Sequence, residues 1–265
     1  MDYTTIGIAL TIDDVGASSK HFEVYGLTRL PLGRLKIPFP GNFLFLKYMP
    51  PIKRWGPYRE LEASEWDRIL SLLETGGSRL TVAITAGWVE ANGRIVPFPH
   101  KYPEAAAVIR EGVARGLLEI ANHGYTHCVV TDRAFRPRMV RGNRPFHREF
   151  LPDVPESAQR HHLRAAQAIL QDFFAVPVVT FVPPGNAFTA VTVALAVEHG
   201  LRYLSCRDAA RFGPIPGMTY VNGPLVRRLH DRDLVLGGIE TLARELTRQS
   251  AGFVTVREVG AQQRC

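Results

Sequence analysis

Residues 102–127 read YPEAAAVIREGVARGLLEIANHGYTH, and their reading decides the fold. Residues 104–115 predict a helix that Gly116 closes, and 118–121 predict a short apolar strand. At the end of that strand the chain delivers two histidines, His123 and His127. Helix, strand and then polar groups is the repeating unit of a parallel α/β protein. The unit recurs on both sides. Upstream, residues 5–12 predict a strand ending in Asp13 and Asp14. Residues 62–74 predict an amphipathic helix with Trp66, Ile69, Leu70 and Leu73 at helical spacing, and 80–85 predict a strand. Downstream, a long helix over 157–174 with Ser157 as N-cap precedes a β-branched strand over 178–182, which Pro183, Pro184 and Gly185 break. A helix over 189–199 and strands over 202–205 and 225–229 follow, the latter leading into His230 and Asp231. A helix over 239–248 and a last strand over 253–256 complete the pattern. Strand and helix alternate about seven times, so parallel strands joined by crossover helices are expected. At 265 residues a closed or distorted (β/α) barrel, in one domain spanning 1–265, is more natural than an open sheet. Two segments interrupt it, 28–59 and 131–155. Their apolar and aromatic content predicts ordered loops near a substrate mouth.

Bulk properties narrow the class. A hydrophobic content of 46% describes a globular chain. The net charge of +7 suits anionic partners, but the arginines are scattered and no nucleic-acid motif is present, so no nucleic-acid partner is expected. Cys128, Cys206 and Cys265 lack CxxC spacing and leave an odd thiol, which points to a reducing, cytoplasmic setting. The N-terminus reads as a first strand and not as a signal peptide, and no apolar run reaches membrane-spanning length. The aromatic loop at 28–59, together with the chain's basic charge, adds an expectation of peripheral membrane contact.

Acids and histidines collect at predicted strand ends: Asp13 and Asp14, His123 and His127, His230 and Asp231. In a parallel barrel these ends share one face, so residues distant in sequence converge there. Two imidazoles and a carboxylate are a common set for zinc or a similar divalent ion that keeps a position open for water. His161 and His162 lie in a polar helical stretch and are expected at the surface, whereas His147 in PFHREF is a weaker candidate for the mouth. Cys128 reads as a small buried residue, since no base partner is evident.

These segments, in this order, resemble the polysaccharide deacetylase family, the NodB-type carbohydrate esterases of family 4. TIDD (11–14) is similar to the family's TFDD motif. HGYTH is similar to its H-[ST]-x-x-H motif, with Gly124 in the Ser/Thr place. FVPPGN (181–186) is similar to F-R-P-P-x-G, and LVRRLHD (225–231) is similar to the LHD motif. The resemblance implies a distorted (β/α)7-type barrel and metal-dependent N-deacylation of an amino sugar, here a carrier-linked or intracellular precursor. It implies one divalent ion on Asp14, His123 and His127, zinc first, with cobalt, nickel or manganese as alternatives. Asp13 would be the general base, and His230 the general acid for the leaving amine, with Asp231 beside it. Pro184, Gly185, Asn186 and Asp231 would meet a glycan or small-molecule substrate. Val182 replaces the family's third-motif arginine, and Arg207 or Arg144 is the expected substitute. Arg207–Asp208 lies about where the family's acidic and aromatic motif falls. Hydrolysis of a non-sugar amide on the same site, and a non-catalytic carbohydrate-binding scaffold, are the alternatives.

Overall fold

The computed structural model describes residues 7–264 apart from 34, 44, 131–143 and 208–212. Seven strands form one sheet: β1 (Ala9–Val15), β2 (Leu80–Ile84), β3 (Leu118–Asn122), β4 (Thr180–Phe181), β5 (Tyr203–Ser205), β6 (Thr219–Val221) and β7 (Val226–His230). Their order is β6-β5-β4-β3-β2-β1-β7, with every neighbouring pair parallel. Consecutive strands β6 and β7 therefore lie at opposite edges. Laid flat, the sheet would hold those edges about 29 Å apart, yet residues 222–225 reach only about 18 Å at full stretch. The sheet must curl until its edges approach. Ala9 of β1, Val221 of β6 and Val226 of β7 accordingly share one apolar cluster with Val256 and Val259. The expected distorted barrel of parallel strands is what forms.

Period-two alternation divides the two faces of the sheet. Leu10, Ile12, Leu80, Val82, Ile84, Leu118 and Ile120 point outward into the main core. The helices α1 (Ala63–Thr75), α2 (Pro103–Ala114), α3 (Glu156–Phe174) and α4 (Ala190–Glu198) cover that face. On α1, Trp66, Ile69, Leu70 and Leu73 are the buried residues, as their spacing predicts. Inward-facing residues are smaller or polar. Ala83, Ala121 and Val182 form a layer of their own. Beneath them the Thr81 hydroxyl donates to Glu119 Oε2 at 2.8 Å. The N-terminal backbone of a last helix, α7 (Val256–Gln262), seals this end. Val256 N donates to Thr81 Oγ1 at 2.9 Å, and Arg257 N to Glu119 Oε2 at 3.1 Å.

Several elements differ from expectation, each for a local reason. The first strand runs through Asp13 and Asp14 instead of stopping before them, while its predicted start at 5–6 lies outside the described residues. The predicted last strand is a single bridge between Ala9 and Val254, because Thr255 caps α7 with its side chain directly afterwards. The helix predicted over 239–248 is preceded by another, α5 (Asp231–Gly237), and Gly238 separates it from α6 (Glu240–Leu246). Pro155 is the N-cap of α3, which places Ser157 inside the first turn. Residues 28–59 contain an antiparallel hairpin, Arg29–Leu32 with Leu35–Pro38, which the prolines mask in the sequence. Most of the 131–155 segment lies outside the described residues. Among the described residues no helix is long and apolar enough to cross a membrane.

Candidate metal centre

The C-terminal ends of β1, β3 and β7 bring Asp13, Asp14, His123 and His230 together, and the loop after β3 adds His127. Pairing of β1 with β2 shifts between Ile12 and Val15, and Asp14 sits at φ 70°. This bulge turns two adjacent aspartates in different directions. Asp13 stays in register opposite His230 and is buried, whereas Asp14 turns to the histidines.

Asp14 Oδ1 lies 3.2 Å from Nε2 of His123 and 3.2 Å from Nε2 of His127. The opposite ring nitrogens face backbone carbonyls: His123 Nδ1 donates to Val182 O at 2.6 Å, and His127 Nδ1 to Phe146 O. Protons fixed on both Nδ1 atoms leave both Nε2 lone pairs aimed at the carboxylate, which is the second-shell arrangement that orients metal-binding imidazoles. One donor atom from each of the three residues lies within 4.8 Å of the other two. Donor types and tautomers therefore fit a divalent ion such as zinc.

His127 is held in an unusual backbone conformation, φ 62°. The buried Glu149 carboxylate imposes it. Oε1 accepts from Tyr125 N at 2.6 Å and Thr126 N at 3.1 Å, and Oε2 from His127 N at 2.9 Å. His162 Nδ1 is a further partner at 2.7 Å, so His162 is not the surface residue expected; the neighbouring His161 is exposed. Glu149 also accounts for Gly124: a Cβ there would stand 2.1 Å from Glu149 Oε2, and φ is 80°. Glu149→Ala strands three backbone donors, at roughly 1–3 kcal/mol for each one left buried. Urea unfolding should show a loss of about 3 kcal/mol or more, and equilibrium dialysis should show ion affinity falling about 10–100-fold. Unchanged ion affinity would mean that the carboxylate does not set the loop.

His147 enters the site. Its ring centroid is 5.0 Å from that of His127, its Nε2 is 3.2 Å from Glu23 Oε1, and its buried Nδ1 has no hydrogen-bond partner among the described residues. Gly185 makes room for it, since a Cβ there would meet the His147 ring at 2.8 Å. Gly185 is the exposed centre of the turn Pro184–Asn186, in which Pro184 is buried and Asn186 Oδ1 accepts from Arg207 N at 2.9 Å. The turn thus borders the histidines.

Asp231 does not face the site, which corrects its expected contact with substrate. Its side chain is wholly buried, ion-paired to Lys20, and accepts from the Tyr58 hydroxyl at 3.0 Å. Lys20 also reaches Glu60 Oε2 at 2.6 Å, and Gly16 N donates to the same oxygen at 2.9 Å. Burial disfavours the Lys20 charge, but its two carboxylates outweigh that and keep it protonated. Asp231 turns inward because it opens α5 above this buried cation. The carboxylate beside His230 is Asp233, with Oδ2 3.5 Å from Nδ1.

Of the two expected substitutes for the missing arginine, only one has a described side chain. Arg207 is exposed, and the side chain of Arg144, like Asp208, lies outside the described residues. Arg228 on β7 is a described cation whose charge interacts with that of Asp13. Its guanidinium donates to Cys206 O at 3.0 Å and Ser205 Oγ at 3.3 Å. Burial pushes its pKa down and the Asp13 charge opposes that fall. Arg232 adds a second cation, with Nη1 3.8 Å from Asp14 Oδ2 and its guanidinium 4.8 Å from the centre of the Trp55 ring. The inward period of β7 (226, 228, 230) could have identified Arg228, and the i, i+3 spacing could have identified Asp233. Nothing local in the sequence marks Glu149. Cys128 is buried, which pushes its thiol pKa up and suits a packing role.

Residues 56–204 match the family model described as Polysaccharide deacetylase. No curated protein matches the chain significantly. Among solved structures, a CE4 family pseudoenzyme from Bacillus anthracis is 15% identical with a TM-score of 0.47, over 75% of this chain and 61% of that one. A family 4 acetyl xylan esterase from Clostridium thermocellum, solved with a cobalt ion, is 14% identical with a TM-score of 0.47, over 77% of this chain and 88% of that one. A polysaccharide deacetylase, so described, from Mycobacterium smegmatis is 18% identical with a TM-score of 0.44, over 75% and 78%. The chain spans about three fifths of the length of the Bacillus anthracis protein.

Proposed function

The chain belongs to the polysaccharide deacetylase family, and from that premise we propose that it hydrolyses the amide of an N-acylated amino sugar with the help of a divalent ion. The carrying observation is the convergence of Asp14 Oδ1, His123 Nε2 and His127 Nε2 on one point beside a buried, partly unpartnered Asp13. Those three side chains would hold the ion. Zinc suits them best, with cobalt, nickel or manganese as alternatives. When bound, such an ion supplies Lewis-acid chemistry, polarising a carbonyl and making water easier to deprotonate.

The remaining steps fall to the chain's own groups. Asp13 Oδ1 is buried without a hydrogen-bond partner among the described residues, so it is free to take the proton of the attacking water. His230 stands opposite Asp13 in strand register and donates a proton to the leaving nitrogen, which departs poorly as an anion. The Pro184–Asn186 turn and Trp55 border the ion site and position the sugar. The excess of cations over acids, together with Arg232 at the site, favours a precursor joined to a phosphate-bearing carrier.

The test is acetate release by metal-loaded protein from nucleotide-linked N-acetylamino sugars, beside cyclic ureides and simple amides. Release from the sugars is the expected result. Turnover of ureides alone would move the activity to a non-sugar amide. A tightly held ion with no turnover of any amide would make the chain a binding scaffold.

His230 carries a pH signature. Burial works against its charged ring, but the Asp233 hydrogen bond and the Asp14 charge outweigh it, so His230 titrates above the ordinary histidine range. A general acid is active while protonated, so a raised pKa extends activity to higher pH. Asp233→Asn removes the raising partner. The high-pH limb of the kcat profile should move to lower pH, and an unmoved limb would exclude His230 as the acid.

A further inference from the structure

We propose that the hairpin Arg29–Leu32/Leu35–Pro38 docks the face bearing the metal centre onto an anionic lipid surface, an inference independent of the reaction performed there. Cross-strand register pairs Leu30 with Ile37 and Leu32 with Leu35, which places all four aliphatic side chains on one face of the ribbon. They are exposed at 39%, 46%, 64% and 68% for Leu30, Ile37, Leu32 and Leu35. Arg29, Pro31, Lys36 and Pro38 occupy the other face, and both strands are exposed along their whole length. A two-stranded ribbon is marginal in water unless one face is covered, and an aliphatic face turned to solvent marks an interaction site. Phe43 at 60% and Phe45 at 52% extend the exposed apolar surface.

Charge selects the occupant. Residues 24–59 contain no aspartate or glutamate, and they carry Arg29, Lys36, Lys53 and Arg54 as exposed cations. Aliphatic groups on one face with cations behind and beside them match an anionic bilayer, where apolar side chains enter the interface and the cations meet headgroups. Pro31 and Pro38 cannot donate to an added strand, so edge pairing with a second copy or another protein is disfavoured. The ribbon also roots beside the site. Tyr25 and Trp55 stack 5.6 Å apart at its base, and Trp55 supports the Arg232 that reaches Asp14. Docking through the ribbon tip would bring the metal centre towards the membrane surface.

Vesicle flotation of the full chain tests this with phosphatidylcholine alone and with an equimolar mixture of phosphatidylcholine and phosphatidylglycerol. The expected result is binding to the mixed vesicles that weakens with added salt, and little binding to phosphatidylcholine. Leu32→Ser with Leu35→Ser should weaken binding on the order of a hundredfold, and Arg29→Gln with Lys36→Gln about fivefold for each cation removed. All four positions are exposed, so both variants should keep the wild-type circular dichroism and ion content. The charge variant reads the same surface without altering its apolar face. Wild-type protein that floats with neither vesicle overturns the proposal. So does a dimer in size-exclusion chromatography that the serine variant dissolves without loss of flotation, because the aliphatic face would then belong to a second copy.

Discussion

Protein carrying His127→Ala is expected to emerge from dialysis without a bound ion and to lose roughly a thousandfold or more in amide hydrolysis. The size of the effect follows from where the ligand stands. His127 supplies one of the three donors that converge among the described residues, and its Nε2 lone pair is fixed by the Nδ1 contact to the Phe146 carbonyl. Asp14 and His123 alone leave a two-donor site, short of the three protein ligands of catalytic zinc centres. The residue is also held in a left-handed conformation that costs of the order of 1–3 kcal/mol, which the Glu149 carboxylate sustains through three backbone hydrogen bonds. Alanine relieves none of that constraint and adds no donor, so the loop keeps its shape while the site loses its ion. Elemental analysis and acetate release on the same preparation check the result. Full activity in the variant would remove His127 from the ligand set.

Asp13→Asn should do the opposite to the ion and the same to the rate. The substitution keeps the shape of a buried side chain opposite His230, while Asp14, His123 and His127 are untouched, so the ion should be retained. The amide cannot take a proton, and loss of a positioned general base costs roughly 10²–10⁴-fold in rate. Elemental analysis should therefore read wild-type occupancy while acetate release falls by that factor. A fully active Asp13→Asn protein would require another base. His147 is a candidate, through its contact with the His127 ring and an Nδ1 that has no partner among the described residues.

The elements that can be read from the sequence are those whose information is local. A strand–helix alternation, a Gly116 stop and an amphipathic α1 are written within a few residues, and they suffice for a parallel barrel with acids and histidines on one rim. The candidate site's core is equally legible, because Asp13, Asp14, His123 and His230 sit at or directly after strand ends and His127 follows in the loop after β3. What escapes is set by tertiary packing. Glu149 reaches the His127 loop from a separate segment, and its carboxylate is recognisable only once three backbone donors surround it. Asp231 follows His230 directly in sequence, yet the buried Lys20, brought in from a distant loop, draws it away and leaves Asp233 as the neighbour of His230. Arg228, two residues before His230 on β7, brings a cation whose charge interacts with Asp13, which no local pattern ties to the Val182 position. The hairpin within 28–59 is hidden because two prolines interrupt an otherwise clear alternation.

Anomalous diffraction from crystals grown with zinc tests the central claim most directly. The account predicts one strong peak per chain, about 2.0–2.2 Å from an Asp14 oxygen and from Nε2 of both His123 and His127. A map with no peak between these residues, or with its only ion bound elsewhere, would contradict it.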